Sequence, residues 1–149
     1  MSDLRDVTTQ ALAYLGDCVF ELCVRTYLVR DCGYTTSAHL NREALRFVCA
    51  AAQSKAMDVI EPILTPEELA VFKRGRNMGH GQVPKNASVK DYRRATGMEV
   101  LFGHLALSGK EDRLQALFRI GYGLDSSEET LPAPTAPEMP WEQDASSSI

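Results

Sequence analysis

Leu12-Ala13-Tyr14-Leu15-Gly16-Asp17-Cys18-Val19-Phe20-Glu21-Leu22-Cys23-Val24 is the stretch on which the reading of the fold turns. Its apolar residues form two stripes at helical spacing. Leu12, Leu15, Val19 and Leu22 make one; Phe20 and Val24, continued by Tyr27 and Leu28, make the other. The helix they predict, from about Thr9 to Arg30, is apolar almost all the way round and so buried on most sides. Asp17 interrupts it. At roughly 100° per residue this aspartate lies within about 60° of Phe20 and about 20° of Val24, on the second stripe. Gly16, just before it, weakens the helix locally but lets another backbone or a ligand come close.

A second acid stands in the same kind of place. Between Ala95 and Leu107, Glu99 is the one acid, with His104 the one histidine, amid Met98, Val100, Leu101, Phe102 and Leu105. Charges are not left in apolar surroundings unless they are paired or bound to a metal. Arg25, Arg93 and Arg94 are near enough in sequence to pair with one acid or the other. From the residues alone, structural ion pair and metal ligand both stay open.

Outward from these two helices the chain reads as all-α, with no convincing strand. Gly33 stops the first helix. A second starts near Thr36 or Ser37 and carries Leu40, Ala44, Leu45, Phe47, Val48 and Ala51, continuing with a break to Ile63. A third opens at Thr65-Pro66-Glu67-Glu68, where Thr65 caps, Pro66 takes the first turn and Glu68 completes a capping box. Glycines, a proline and two asparagines make Gly75 to Ala87 a loop. Another helix begins at Ser88-Val89-Lys90-Asp91 and runs to about Ser108, and a last one covers roughly Glu111 to Ile120. Residues 1–124 are expected to form one domain. Residues 125–149, rich in Ser, Pro, Thr and acids, are expected to form an acidic, disordered tail.

The 149 residues suit one domain with a real core, and 44% hydrophobic with 24% charged residues is ordinary for a soluble protein. No apolar run approaches the ~18 residues of a membrane span, and Met1 to Asp6 resembles no secretory or transit peptide, so no membrane partner and a cytoplasmic location are expected. Cys18, Cys23, Cys32 and Cys49 contain no C-x-x-C pair and are expected as reduced, mostly buried thiols. His39, His80 and His104 lack the spacing of a metal pair.

The net charge of −4 hides an asymmetry. The tail holds six of the 20 acids and no Lys or Arg, which leaves 14 acids against 16 basic residues in the body. Lys73, Arg74, Arg76, Lys85, Lys90, Arg93 and Arg94 crowd into one segment against Asp91 alone, a candidate contact for a polyanion.

The segments around the two acids resemble a known family. Leu12-Ala13-Tyr14-Leu15-Gly16-Asp17 is similar to the L-x-F/Y-L-G-D signature of ribonuclease III catalytic domains, whose aspartate binds metal. Glu99-Val100-Leu101-Phe102-Gly103 resembles the second signature, E-A-L-I-G, whose glutamate is the other essential ligand, and Glu43-Ala44-Leu45-Arg46-Phe47-Val48 resembles the helix between them. Arg74-Gly75-Arg76-Asn77 followed by Val83-Pro84-Lys85-Asn86 looks like the Mini-ribonuclease III branch. The likeness spans about residues 8 to 122. It departs from ribonuclease III proper where acids stand four residues before the aspartate and three before the glutamate; here these are Ala13 and Thr96. The Mini branch shares such reduction, which leaves the number of metals open. Glu21 is a candidate substitute ligand, with pairing to Arg25 the alternative.

The resemblance implies an all-α ribonuclease III-like homodimer that cleaves double-stranded RNA, with Asp17 and Glu99 catalytic and holding Mg²⁺, for which Mn²⁺ can substitute. It implies 5′-phosphate products and maturation of 23S ribosomal RNA precursor ends, with a ribosomal protein as a possible further partner. An acidic tail is expected after the catalytic region, where ribonuclease III proper has a double-stranded-RNA-binding domain. RNA contact is therefore expected from Arg74, Arg76, Asn77, Lys85, Asn86, Arg93 and Arg94, along a shallow A-form minor groove. The alternative is a non-catalytic ribonuclease III-like RNA-binding protein of ribosome assembly, to which the losses at Ala13 and Thr96 would point.

Overall fold

In a computed structural model, which describes residues 4–79 and 82–124, helix α5 (Val89–Leu107) is the axis of the molecule. Every residue from Arg94 to Leu105 except Glu99 and His104 is buried, as its apolar run foretells. Around it pack α1 (Thr9–Thr26), α3 (Ala50–Ile60), α4 (Pro66–Arg76) and α6 (Glu111–Gly121), while α2 (Ser37–Val48) lies against α1 and α3. No strand occurs among the described residues. The expected tail, residues 125–149, and His80 lie outside them.

Hydroxyl caps set most of the helix starts. Thr8 Oγ1 accepts from the Ala11 amide at 3.0 Å, Thr36 from His39 at 3.3 Å, and Ser88 from Asp91 at 3.0 Å. Each replaces water at an otherwise orphaned N–H and is worth about 1 kcal/mol. The capping box is complete: Thr65 Oγ1 accepts from the Glu68 amide at 3.1 Å, and Glu68 Oε1 accepts from the Thr65 amide at 2.9 Å. Arg113 clamps the buried Glu68 through two bonds of 2.9 Å, tying the start of α4 to α6.

The expected break in the second helical stretch falls at Cys49, whose extended backbone (φ −66°, ψ 148°) both ends α2 and starts α3. The first helix is shorter than expected as regular α-helix: after Thr26 it loosens into a π-helical turn, Tyr27–Asp31. The core joins Phe20, Val24 and Leu28 of the first helix to Met57 and Ile60 of α3, Met98, Leu101, Phe102 and Leu105 of α5, and Leu114, Leu117 and Phe118 of α6. Phe20 meets Phe102 and Phe118 edge-on, with centroids 6.0 and 6.2 Å apart. Burying each such ring contributes roughly 1.5–3 kcal/mol.

Two expectations about α1 are corrected. The first stripe is buried only at its start: Leu12 is buried, Leu15 and Val19 are half-buried, and Leu22 is 65% exposed. Asp17 is exposed although it shares an azimuth with the buried Phe20 and Val24. Azimuth on a helix fixes direction, not what lies opposite one or two turns away. The cysteines are all free, as expected, but only Cys23 is buried; Cys18 and Cys49 are exposed. Burial pushes the Cys23 thiol up to about 11.

Candidate active site

Asp17 and Glu99 come together because two helices touch there without side chains between them. A Cβ on Gly16 would overlap the Glu99 carbonyl oxygen and sit 3.0 Å from the Glu99 Cα. A Cβ on Gly103 would overlap the Leu12 carbonyl oxygen and sit 3.1 Å from the Gly16 amide nitrogen. The two glycines therefore let the backbones of α1 and α5 meet. Asp17, one residue past Gly16, is thereby brought beside Glu99.

Their environments differ. Asp17 is exposed, whereas Glu99 is half-buried. Burial, and next the negative charge of Asp17, push the Glu99 carboxyl from 4.5 up to about 7. The Gln53 amide faces it from α3 and offsets a small part of this, though its Nε2 closes no hydrogen bond. Two carboxylates that repel one another, one of them short of water, form a place where a cation relieves both costs.

Neither acid has an ion-pair partner among the described residues, so the ion-pair reading left open by the sequence finds none of its three arginines in place. Arg25 pairs with Glu21 at 3.6 Å. Arg93 is exposed. Arg94 is only 8% exposed and points into the protein. Its Nε donates to Ser54 Oγ at 3.1 Å, and its terminal nitrogens reach Asp58 Oδ1 at 2.6 Å and Glu61 Oε2 at 3.3 Å. The guanidinium also lies over the Phe72 ring, 5.8 Å from its centre. Arg94 was expected on RNA; it instead fastens α3 to α5, since a buried guanidinium is kept only where its donors are matched.

The reduced donor set suits a hard ion that keeps several waters, as Mg²⁺ does. At the two positions where the wider family carries acids, Ala13 offers no donor, and Thr96 is buried with its hydroxyl donating to the Tyr92 carbonyl at 3.0 Å. Glu21, the candidate extra ligand, is engaged with Arg25, and no set of three His, Cys, Asp or Glu side chains converges among the described residues. Two carboxylates are what these residues offer an ion.

Of the residues expected on RNA, Arg74, Asn77, Lys85, Asn86 and Arg93 are exposed. Arg76 is half-buried, with Nε donating to Asn77 Oδ1 at 3.2 Å and its guanidinium 5.8 Å from the Phe72 ring centre. His39 stacks near Tyr34 and faces Glu43 at 3.8 Å, and His104 faces Glu67 at 3.6 Å, both away from the two acids' contacts. Gln53 was missed by the sequence reading. Its signal was present, because it shares the spacing of Ala56, Met57 and Ile60, the buried face of α3.

The sequence profile of the Ribonuclease III domain matches residues 10–110. The Mini-ribonuclease 3 of Clostridium tetani is 40% identical over 118 residues, covering 79% of this chain and 78% of that protein. That of Brevibacillus brevis is 41% identical over 117 residues, covering 78% and 87%. A crystal structure of a protein from Fusobacterium nucleatum matches with a TM-score of 0.72 at 31% identity, over 80% of this chain and 95% of that one. Ribonuclease III enzymes act on double-stranded RNA and are generally dependent on a divalent metal. With its two opposed carboxylates and these relatives, the chain belongs to the ribonuclease III family, in the Mini-ribonuclease III branch, and is an endoribonuclease.

Proposed function

We propose that the protein cleaves duplex RNA with Asp17 and Glu99 holding Mg²⁺, or Mn²⁺ in its place, and that its substrate is the precursor of 23S ribosomal RNA, whose ends it matures. The carrying observation is the pair itself: a half-buried Glu99 and an exposed Asp17, close enough for one charge to raise the other's pKa, with no described cation in contact. A bound Mg²⁺ would supply Lewis-acid stabilisation of the phosphate and a water that gives up its proton readily enough to serve as the nucleophile. Glu99 anchors from the protein side, and Asp17 faces solvent, where a scissile phosphate arrives. Cleavage leaves a 5′-phosphate. The choice of 23S precursor rests on the resemblance to the Mini branch.

RNA is held by Arg74, Arg76, Asn77, Lys85, Asn86 and Arg93, through phosphates and 2′-hydroxyls. The protein acts as a homodimer. In support, Tyr14, Cys18, Leu22 and Arg25 fall within roughly 80° of one another on α1. Tyr14 is 86% exposed and Leu22 65%, an apolar stripe beside Asp17 of the kind that marks an interface.

The test is cleavage of end-labelled duplex RNA and of 23S precursor by Asp17→Asn and Glu99→Gln. Both variants should keep dimerisation and RNA binding while losing product in Mg²⁺ and in Mn²⁺. Full activity in either one would remove the metal assignment. Wild-type binding without product would remove the catalytic reading, and cleavage of generic duplex with an untouched precursor would remove the 23S assignment.

A further inference from the structure

Gln53 sits where a polar side chain is hard to justify by packing alone. It is 3% exposed, on the face of α3 that carries Ala56, Met57 and Ile60 into the core. Its Nε2 is the one buried side-chain nitrogen or oxygen among the described residues that completes no hydrogen bond. An unmade bond of this kind costs stability, and a leucine of similar volume would avoid it. Next to it, Ser54 is held by Arg94, whose Nε and terminal nitrogen bind the serine hydroxyl at 3.1 Å and its carbonyl at 3.4 Å. That clamp fixes the turn of α3 that aims Gln53 at α5. The group it faces is the Glu99 carboxylate.

We infer that Gln53 is a positioning residue of the metal site: its amide N–H holds one oxygen of Glu99 so that the other is presented toward Asp17 and the ion. This rests on the reading of Asp17 and Glu99 as ligands. A carboxylate ligand needs such a partner, because a free carboxylate rotates and must be ordered at the moment of binding. At the two positions where the wider family carries acids, the Thr96 hydroxyl is committed to the Tyr92 carbonyl and Ala13 has no polar group. The donor that Nε2 leaves unused is then the one Glu99 would take up when it holds an ion.

The experiment compares wild type, Gln53→Leu, Gln53→Met and Asp17→Asn by thermal melting in chelator and by calorimetric titration with Mn²⁺. Cleavage as a function of Mg²⁺ is a third readout. Removing an unsatisfied buried donor should leave the melting temperature of the metal-free Leu variant unchanged or raised. Its Mn²⁺ affinity should fall about tenfold, the scale of losing a partner behind a ligand. Half-saturating Mg²⁺ should rise in step, with RNA affinity unchanged. Gln53→Met, unbranched and close in size, should behave alike and stands in if leucine disturbs the fold. Unchanged Mn²⁺ affinity in both variants, or a fall in metal-free melting temperature that matches the loss of Mn²⁺ binding, would overturn the inference while leaving the site intact. If Asp17→Asn binds Mn²⁺ as wild type does, the metal reading itself is wrong, and Gln53's role falls with it.

Discussion

Replacing Glu99 by glutamine should make the metal-free protein more stable. The carboxyl is pushed from 4.5 to about 7, first by burial and then by Asp17, so ionising it in the folded protein is costly. Below pH 4.5 the group is protonated in both folded and unfolded chains and nothing is lost. Between 4.5 and 7 the unfolded chain releases its proton first, and stability falls as pH rises; above 7 the full cost is present. At about 1.4 kcal/mol per pH unit the rise corresponds to ~3 kcal/mol, and the part of Glu99 that water reaches trims this to about 2–3 kcal/mol. In chelator at pH 8, Glu99→Gln should therefore be more stable by that amount in urea unfolding and melt roughly 5–10 °C higher. The advantage should fade as pH is lowered toward 4.5. Added Mg²⁺ or Mn²⁺ should stabilise the wild type and leave the variant where it was, because only the wild type has the charge to bind them. A variant no more stable than wild type in chelator at pH 8 would refute the claim that burial and Asp17 hold Glu99 in an unfavourable charged state.

Two further outcomes separate residues that look alike in sequence. Arg94→Met should cost about 3 kcal/mol by leaving the buried Ser54 unbonded and removing the ties to Asp58 and Glu61, yet leave the salt dependence of RNA binding unchanged; Arg93→Ala should do the reverse, staying within ~0.5 kcal/mol in urea titrations while lowering the slope of log affinity against log salt by about 0.7–0.9. Gly16→Ala drives a methyl group into the Glu99 main chain, so it should cost about 3 kcal/mol or more in melting experiments and lose cleavage even where it stays folded. A folded and fully active Gly16→Ala would show that the helix contact does not set the site.

Most of the helices were legible because their ends are local chemistry. Thr65, Pro66 and Glu68 form the expected box within four residues and Ser88 caps where expected, whereas the sequence foretold a break in the second stretch without placing it at Cys49. Asp17 and Glu99 stood out because each interrupts an apolar run. The direction in which a charge points was not legible. Arg93 and Arg94 are neighbours on a helix buried on nearly every side, so periodicity gives no preferred face, and the acceptors that draw Arg94 inward lie 33 to 40 residues away. Gln53 belongs to the same class, since its meaning depends on a carboxylate on another helix. Tyr14 and Leu22 mark the opposite limit: hydrophobicity announces that a side chain prefers cover, not whether this chain supplies it.

Contact between the main chains of α1 and α5 also bears on how such a site can change over time. Where side chains separate two helices, a swapped methyl group shifts the spacing by a fraction of an ångström, and ligand positions drift with it. At Gly16 and Gly103 there is nothing to swap, because the interval between the two acids is measured in peptide groups. Exchanges of leucines and phenylalanines away from this helix pair then bear less on the interval between the acids. Selection for folding and selection for catalysis then bear on the same two hydrogen atoms, those that stand where any other amino acid would carry a Cβ.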